Sequence, residues 1–287
     1  MKVAYLLDSG SNYQLKDVND CFIVPMVISV KTNDSQHSYF DDVDITRNEL
    51  EKIINSDSQI STSQPIIGQL MSTIEEIYHS YDMIIAIPFA QHLSSTYNCI
   101  LNLQREYGDE KFLVADINAM GITGNWFIED VKKYLSTHKM ISQDELNNLA
   151  SNFRNRVCGA VVIADTKRLI AGGRLKGLKG LVAKTFKLKL IIKFKQNLEF
   201  KDKALNIKDA INKTLKIIDE DCKFKAKGIK NCSLLLNLNN QEDNEMIYSY
   251  CIEQLNTKTL ITKSLLPGCV ISHTGCDTVS ILIEANE

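Results

Sequence analysis

No sign of charge dominates this sequence. A formal net charge of -2 over 287 residues gives no global pull toward nucleic acid or anionic lipid. No apolar run approaches the length needed to cross a bilayer, so no stable membrane insertion is expected. The start, MKVAYLLDSG, leaves no room for a secretory signal because Asp8 follows the short apolar run at once; it reads as a first strand, and a cytoplasmic location is expected. Eight cysteines are present, at 21, 99, 158, 222, 232, 251, 269 and 276, without a CxxC pair. Zinc sites use closely spaced ligand pairs, so scattered thiols in apolar stretches read as reduced core residues, and no metal is expected. The phosphate-binding G-x-x-x-x-G-K-[ST] loop, a G-x-G-x-x-G after a strand and a G-x-S-x-G elbow are all missing. No stretch rich in Pro, Gly and Ser separates the halves of the chain.

What is present is alternation. VAYLL (Val3–Leu7), MIIAI (Met83–Ile87) and FLVA (Phe112–Ala115) are continuous apolar runs, as expected of strands covered on both faces. Helical patterns with start signals lie between them. Thr46 with Glu49 and Ser142 with Glu145 have capping-box spacing; Pro65 suits a first helical turn, Ser63 a helix cap and Gly108 a stop. Strand, loop and helix repeated in this way predict an α/β fold with a parallel, doubly wound sheet. The second half offers strands at GAVVIA, LKLIIKF, SLLLNL, TLITKSLL, GCVISHT and VSILIEA, and helices near KDAINKTLKIIDEDC and NEMIYSYCIEQL. Three consecutive strand candidates after residue 257 predict a mixed sheet. The expected division is a first α/β domain over 1–156 and a second over 157–287.

Ligands of doubly wound sheets bind beyond the carboxyl ends of strands, where loops enter helices. Two hydroxyl-rich segments occupy such places: STSQP (Ser61–Pro65) and PFAQHLSSTYN (Pro88–Asn98). Backbone N–H groups at a helix start favour an anion, and hydroxyls add donors without charge. Ser94 as a hydrolase nucleophile is the competing reading, with His92 two residues away, but that spacing specifies no geometry. Asp8 suits either catalysis or a turn in DSGS. His273, in ISHTG, is a further candidate functional histidine. From Thr166 to Leu198 there is no acidic residue, while Lys167, Arg168, Arg174, Lys176, Lys179, Lys184, Lys187, Lys189, Lys193 and Lys195 accumulate. This segment suits a solvated face, an anionic reactant, a docking partner or, as a third reading, nucleic acid.

VAYLLDSGS, TSQPIIGQ (62–69), LSSTY (93–97), ADTKRLIAGGRL (164–175), KLKLIIKF (187–194) and ISHTG (271–275) occur in the order seen in the DegV family, and the chain resembles that family along essentially its whole length. The resemblance implies a two-domain DegV-like fold holding one long-chain fatty acid such as palmitate, stearate or oleate, with no other cofactor. By match to the motifs, Thr62 and Ser94 would hydrogen-bond its carboxylate. Ser61, Ser95, Arg174 and His273 would be further ligand or partner contacts. A separate ATP-binding fatty acid kinase subunit would phosphorylate the bound acid to an acyl phosphate for phospholipid synthesis, leaving this chain a carrier without catalysis of its own. The family's SSGLSGTY block reads FAQHLSSTY here, with His92 in place of a glycine.

Overall fold

The computed structural model describes residues 1–12, 18–56, 58–164, 166–171, 188–195, 197–237 and 240–287. The elements run β1 (Val3–Asp8), α1 (Ser9–Asn12), β2 (Cys21–Val24), β3 (Val27–Lys31), β4 (Gln36–Phe40), α2 (Arg47–Ile54), β5 (Gln59–Ser63), α3 (Ile67–Tyr78), β6 (Met83–Ile87), α4 (Thr96–Tyr107), β7 (Phe112–Val114), α5 (Thr123–Leu135) and α6 (Gln143–Arg156). Then come β8 (Val157–Ile163), α7 (Thr166–Ala171), β9 (Lys189–Phe194), β10 (Leu198–Ala204), α8 (Ile207–Cys222), α9 (Phe224–Lys227), β11 (Ile229–Asn237), α10 (Gln241–Leu255), β12 (Ile261–Ser264), α11 (Gly268–Thr274) and β13 (Thr278–Ala285). Two compact units result. The first comprises Met1–Glu49, Thr62–Arg154 and Pro267–Cys269; the second comprises Leu50–Ser61, Asn155–Leu266 and Val270–Glu287. Among the described residues, no helix is long and apolar enough to cross a membrane.

The first unit is built on a parallel sheet of order β2-β1-β6-β7. Its strands are the continuous apolar runs, and all five residues of β6 are buried. Ala4, Leu6, Ile84, Ala86, Phe112 and Val114 face Leu70, Ile74 and Ile77 of α3 and Ile100 and Leu103 of α4. On the opposite face α5 approaches closely at Gly124, where a Cβ would lie 2.9 Å from Leu7 Cδ2. Phe127 of α5 meets Phe153 of α6 edge-on, with centroids 5.3 Å apart. Helices on both faces make the sheet doubly wound. Edge strand β7 is closed by a side chain: Gln143 Oε1 accepts the Val114 N–H (3.0 Å) and its Nε2 donates to the Val114 carbonyl (2.9 Å).

Both capping boxes form. Thr46 N–H donates to Glu49 Oε2 at 2.9 Å and Glu49 N–H returns to Thr46 Oγ1 at 3.3 Å; Ser142 and Glu145 repeat the exchange at 2.8 and 3.3 Å. Gly108 ends α4 at φ 84°. The TSQP segment differs from expectation. Thr62 and Ser63 are the last residues of β5, the cap position of α3 is Ile66, and Ser63 Oγ donates to the Gln64 carbonyl at 3.2 Å. Ser63 is therefore not the cap, and Pro65 precedes the helix rather than opening it. A three-stranded sheet of order β4-β3-β5 also escaped the sequence reading, since QHSYF is too polar to resemble a core strand.

The second unit contains the mixed sheet, of order β10-β9-β8-β13-β11-β12, antiparallel throughout except between β11 and β12. Helix α8 covers it through Ala210, Ile211, Leu215 and Ile218. Inside, Arg156 Nε donates to Glu284 Oε1 at 2.8 Å, and Lys230 and Asn231 also bond this carboxylate. GCVISHT, expected as a strand, is helix α11. Seven of the eight cysteines are buried, and Cys99 is half-buried; burial pushes the Cys232 and Cys251 thiols up to about 12.

Candidate functional site

The chemistry-bearing residues of the first unit gather at the carboxyl edge of its parallel sheet, where loops leave β1, β6 and β7. Asp8, which ends β1, is buried. Its Oδ1 accepts N–H donors from Gly10 (3.0 Å) and Ser11 (3.1 Å), and its Oδ2 accepts the Phe89 N–H (2.8 Å) beyond β6. Ser11 Oγ donates to the Ile87 carbonyl at 3.1 Å. The Ala90 N–H reaches the Ala119 carbonyl (3.0 Å), and the Gly121 N–H reaches that of Gly10 (3.0 Å). The three loops are thus laced together by short polar ties. Gly10 is required there, because a Cβ would lie 2.8 and 2.9 Å from Phe89 ring carbons. Asp8 is a turn-and-tie residue: it keeps three backbone donors satisfied. Burial outweighs those bonds and raises its carboxyl from 3.8 to about 6.

A second buried carboxylate stands beside the first loop. Asp41 Oδ2 accepts the Ser9 hydroxyl (2.9 Å) and the Cys269 N–H (3.0 Å), while Oδ1 has no partner among the described residues. Burial first, and then the neighbouring Asp42, raises Asp41 from 3.8 to about 6, against the pull of Arg47. Nothing in the local pattern singles Asp41 out, since it is one of three aspartates in YFDDVD.

Two loop tips carry the expected ligand groups. Helix α3 leads through residues 79–82 into β6 and packs Leu70, Ile74 and Ile77 against the sheet. Its Ile66 cap position provides no side-chain acceptor, so the helix start keeps donors for an anion. Thr62, half-buried, lies five residues before Ile67, at the end of β5. Ser94 lies in a tight turn in which the Leu93 and Ser94 N–H groups both reach the Ala90 carbonyl, at 2.9 and 3.1 Å. Ser94 Oγ accepts the Thr96 N–H at 3.3 Å and shares a hydrogen with Thr96 Oγ1 at 2.8 Å. When Thr96 donates, the Ser94 proton is released for a ligand. Ser95, exposed, is the residue before α4 and makes no side-chain cap.

Near these tips sit buried polar atoms with no partner among the described residues: Gln69 Oε1, in the first turn of α3, and both ring nitrogens of His92. His92 does not hydrogen-bond Ser94, so no nucleophile–base pair forms. Burial lowers the His92 pKa, with Asp116 opposing. Asp116 itself accepts from Gln91 Nε2 (3.3 Å) and the Asn118 N–H (3.3 Å), and pairs with Arg154 (3.8 Å). Among the described residues no group of three or more His, Cys, Asp or Glu is placed to hold a metal ion.

The other expected residues lie elsewhere. Ser61 is exposed and belongs to the second unit. His273 is buried in the last turn of α11, in a helix rather than after a strand. Arg174, with Lys176, Lys179, Lys184 and Lys187, lies outside the described residues. Among the described residues, two cations of the basic segment are used internally. Arg168 donates to the carbonyls of Ile54, Ser56 and Ser58, and Lys193, buried, pairs with Asp221 at 2.9 Å and Glu199 at 3.7 Å.

Comparison with known proteins bears on this arrangement. The family described as "Uncharacterised protein, DegV family" matches residues 2–286. A DegV domain-containing protein of Ureaplasma parvum is 31% identical over 216 residues, 75% of this chain and 99% of that protein. A fatty acid binding DegV family protein of Streptococcus agalactiae shares the fold with a TM-score of 0.82 at 17% identity, over 100% of both chains. A stearic acid-binding protein of Eubacterium ventriosum does so with a TM-score of 0.81 at 18% identity, over 98% of each. At these identities the structural likeness establishes the fold, and the family match covers nearly every residue. The chain belongs to the DegV family.

Proposed function

We propose that the protein binds one long-chain fatty acid in its first unit and holds the carboxylate between the two loop tips with Thr62, Ser94 and the backbone donors at the start of α3. The observation that carries this reading is the uncapped start of α3, together with the Ser94 turn at the laced edge of a sheet whose helices enclose an apolar interior. An anion gains there from N–H groups and the positive helix end, and an alkyl chain has apolar surroundings. The fatty-acid-binding DegV proteins of the same fold support the lipid class. Each hydrogen bond to a charged group contributes about 1.5–3 kcal/mol. Thr62→Ala with Ser94→Ala is therefore expected to lower fatty acid affinity at least tens-fold while the fold survives. Lipid extraction and native mass spectrometry of the purified variant check this, and near-wild-type occupancy would remove both residues from the site.

The carrier is cytoplasmic in this reading and has no catalysis of its own. It presents the carboxylate to a separate ATP-dependent kinase subunit, and the acyl phosphate then feeds phospholipid synthesis. Phosphoryl transfer gathers anionic charge that Arg174 would stabilise. Arg174→Ala is expected to leave lipid occupancy intact and to lower acyl-phosphate formation sharply with a cognate kinase. Unchanged phosphorylation, or an unfolded variant, would refute that role. The functional division follows 1–156 and 157–287. Ser61, Ser95 and His273 are further contacts of ligand or kinase in this scheme.

A further inference from the structure

His92 is, with Gln69, a partnerless polar side chain at the tips that the carrier reading leaves unused. It shares a tight turn with Ser94, fixed by two N–H bonds to the Ala90 carbonyl at 2.9 and 3.1 Å. Both ring nitrogens are withdrawn from solvent and have no partner among the described residues. A buried donor or acceptor left unmade is unfavourable, and a ligand group brought against the ring would remove that cost. A fatty acid whose chain lies in the interior delivers its head group in that way. Among the described residues the one charged side chain acting on the ring is Asp116, and its carboxylate is already engaged by Gln91, Asn118 and Arg154.

We propose that His92 is the proton-accepting contact of the head-group site, so that this protein binds its fatty acid as an ion pair formed in place. The inference rests on the fatty acid reading and deepens it. A protonated acid that enters transfers its proton to a ring nitrogen: the carboxyl O–H bond breaks, an imidazole N–H bond forms, and carboxylate and imidazolium stay together. A ligand arriving as carboxylate draws the same proton from solvent. Burial keeps the free ring neutral at physiological pH, because a desolvated imidazolium without a close anion is penalised. The bound carboxylate supplies that anion and reverses the preference. Binding is thereby linked to protons, and affinity falls by up to tenfold per pH unit between the free and bound pKa values of the ring.

The test uses the full-length protein, delipidated and then loaded with oleate, as wild type and as His92→Gln. Ring nitrogen chemical shifts, with the His92→Gln spectrum assigning the signal, are expected to show a neutral His92 without oleate and an imidazolium with it at pH 7.5. Calorimetric titration with micromolar laurate in buffers of different ionisation enthalpy is expected to show close to one proton taken up by wild type and none by the variant. Thermal melts of both proteins confirm that the variant is folded, and His92→Gly provides a second variant should glutamine disturb the turn. Oleate bound beside a neutral His92, or equal proton uptake in wild type and variant, overturns the role of His92 and leaves the carrier reading standing. Wild type that retains neither oleate nor laurate overturns both.

Discussion

Asp41→Asn offers a direct measure of what a buried, half-partnered carboxylate does to this fold. Asp41 is 0% exposed, and burial is the first cause of a shift from 3.8 to about 6. The native state therefore holds its proton to higher pH than the unfolded chain. The associated stability is fully present below about 3.8 and is lost as pH rises through about 6. Two pKa units correspond to about 3 kcal/mol once both states are ionised, and about 1.3 kcal/mol of this falls between pH 5 and pH 7. Asparagine is close to an isostere of the protonated form. Its oxygen keeps the Ser9 and Cys269 donors, and its nitrogen replaces Oδ1, which accepts nothing among the described residues. An unpaired amide nitrogen adds an offset of about 1–3 kcal/mol, but that offset does not vary with pH. Asp8 contributes a loss of the same sign. Urea unfolding at pH 5, 6 and 7, followed by Trp126 fluorescence in the first unit, should therefore show a pH slope about half as steep in Asp41→Asn and nearly flat in Asp41→Asn with Asp8→Asn. An Asp41→Asn protein that keeps the full wild-type slope would show that this carboxyl is not held protonated by burial.

Three further outcomes follow from the packing. Gly10→Ala drives a methyl group against the Phe89 ring and should cost about 1–3 kcal/mol, read as a lowered urea midpoint; a change under about 0.5 kcal/mol would mean that the loops yield easily. Gln143→Ala removes both bonds to Val114 and the 2.7 Å bond from Gln104 and should cost about 2 kcal/mol, with faster hydrogen exchange at Val114. Arg156→Ala breaks a pair in which the side chains are 7% and 0% exposed, and the expected loss is about 3 kcal/mol because Lys230 and Asn231 still hold Glu284. Glu284→Gln should be milder, and equal losses in the two variants would contradict the charge argument.

The parallel strands were legible because burial on both faces demands uninterrupted apolar runs, and MIIAI admits little else. Both capping boxes were legible because their chemistry is local. GCVISHT was not. Seven residues, mostly buried and rich in β-branched and sulfur side chains, suit a strand or a short helix equally by pattern. The signals that decide it are Pro267 in front and Gly275 behind at φ 80°, whose N–H reaches the Ile271 carbonyl at 2.8 Å. The TSQP helix start misled for a related reason: Pro65 marks an approaching helix, but Thr62 and Ser63 were already committed to β5. Of the residues proposed for the site, Ser94 and Thr62 rest on motif and position along the chain. The nitrogens of His92 and the Oδ1 of Asp41, partnerless among the described residues, were not legible there, because a missing partner is a property of packing, which no spacing along the chain encodes.

The lacing of the three loops has a consequence for how such a protein can change over evolutionary time. Phe89 pairs with Ala119, its N–H is committed to Asp8, and its ring fills the space above Gly10. A residue inserted after Ile87 or Val114 would put each of these ties out of step with the strands that set them. Under the proposed function, new ligand preferences are therefore expected to arise by exchange of side chains at positions such as 90–92, where the tight turn preserves the backbone path while its contents vary. Length differences should collect away from this edge.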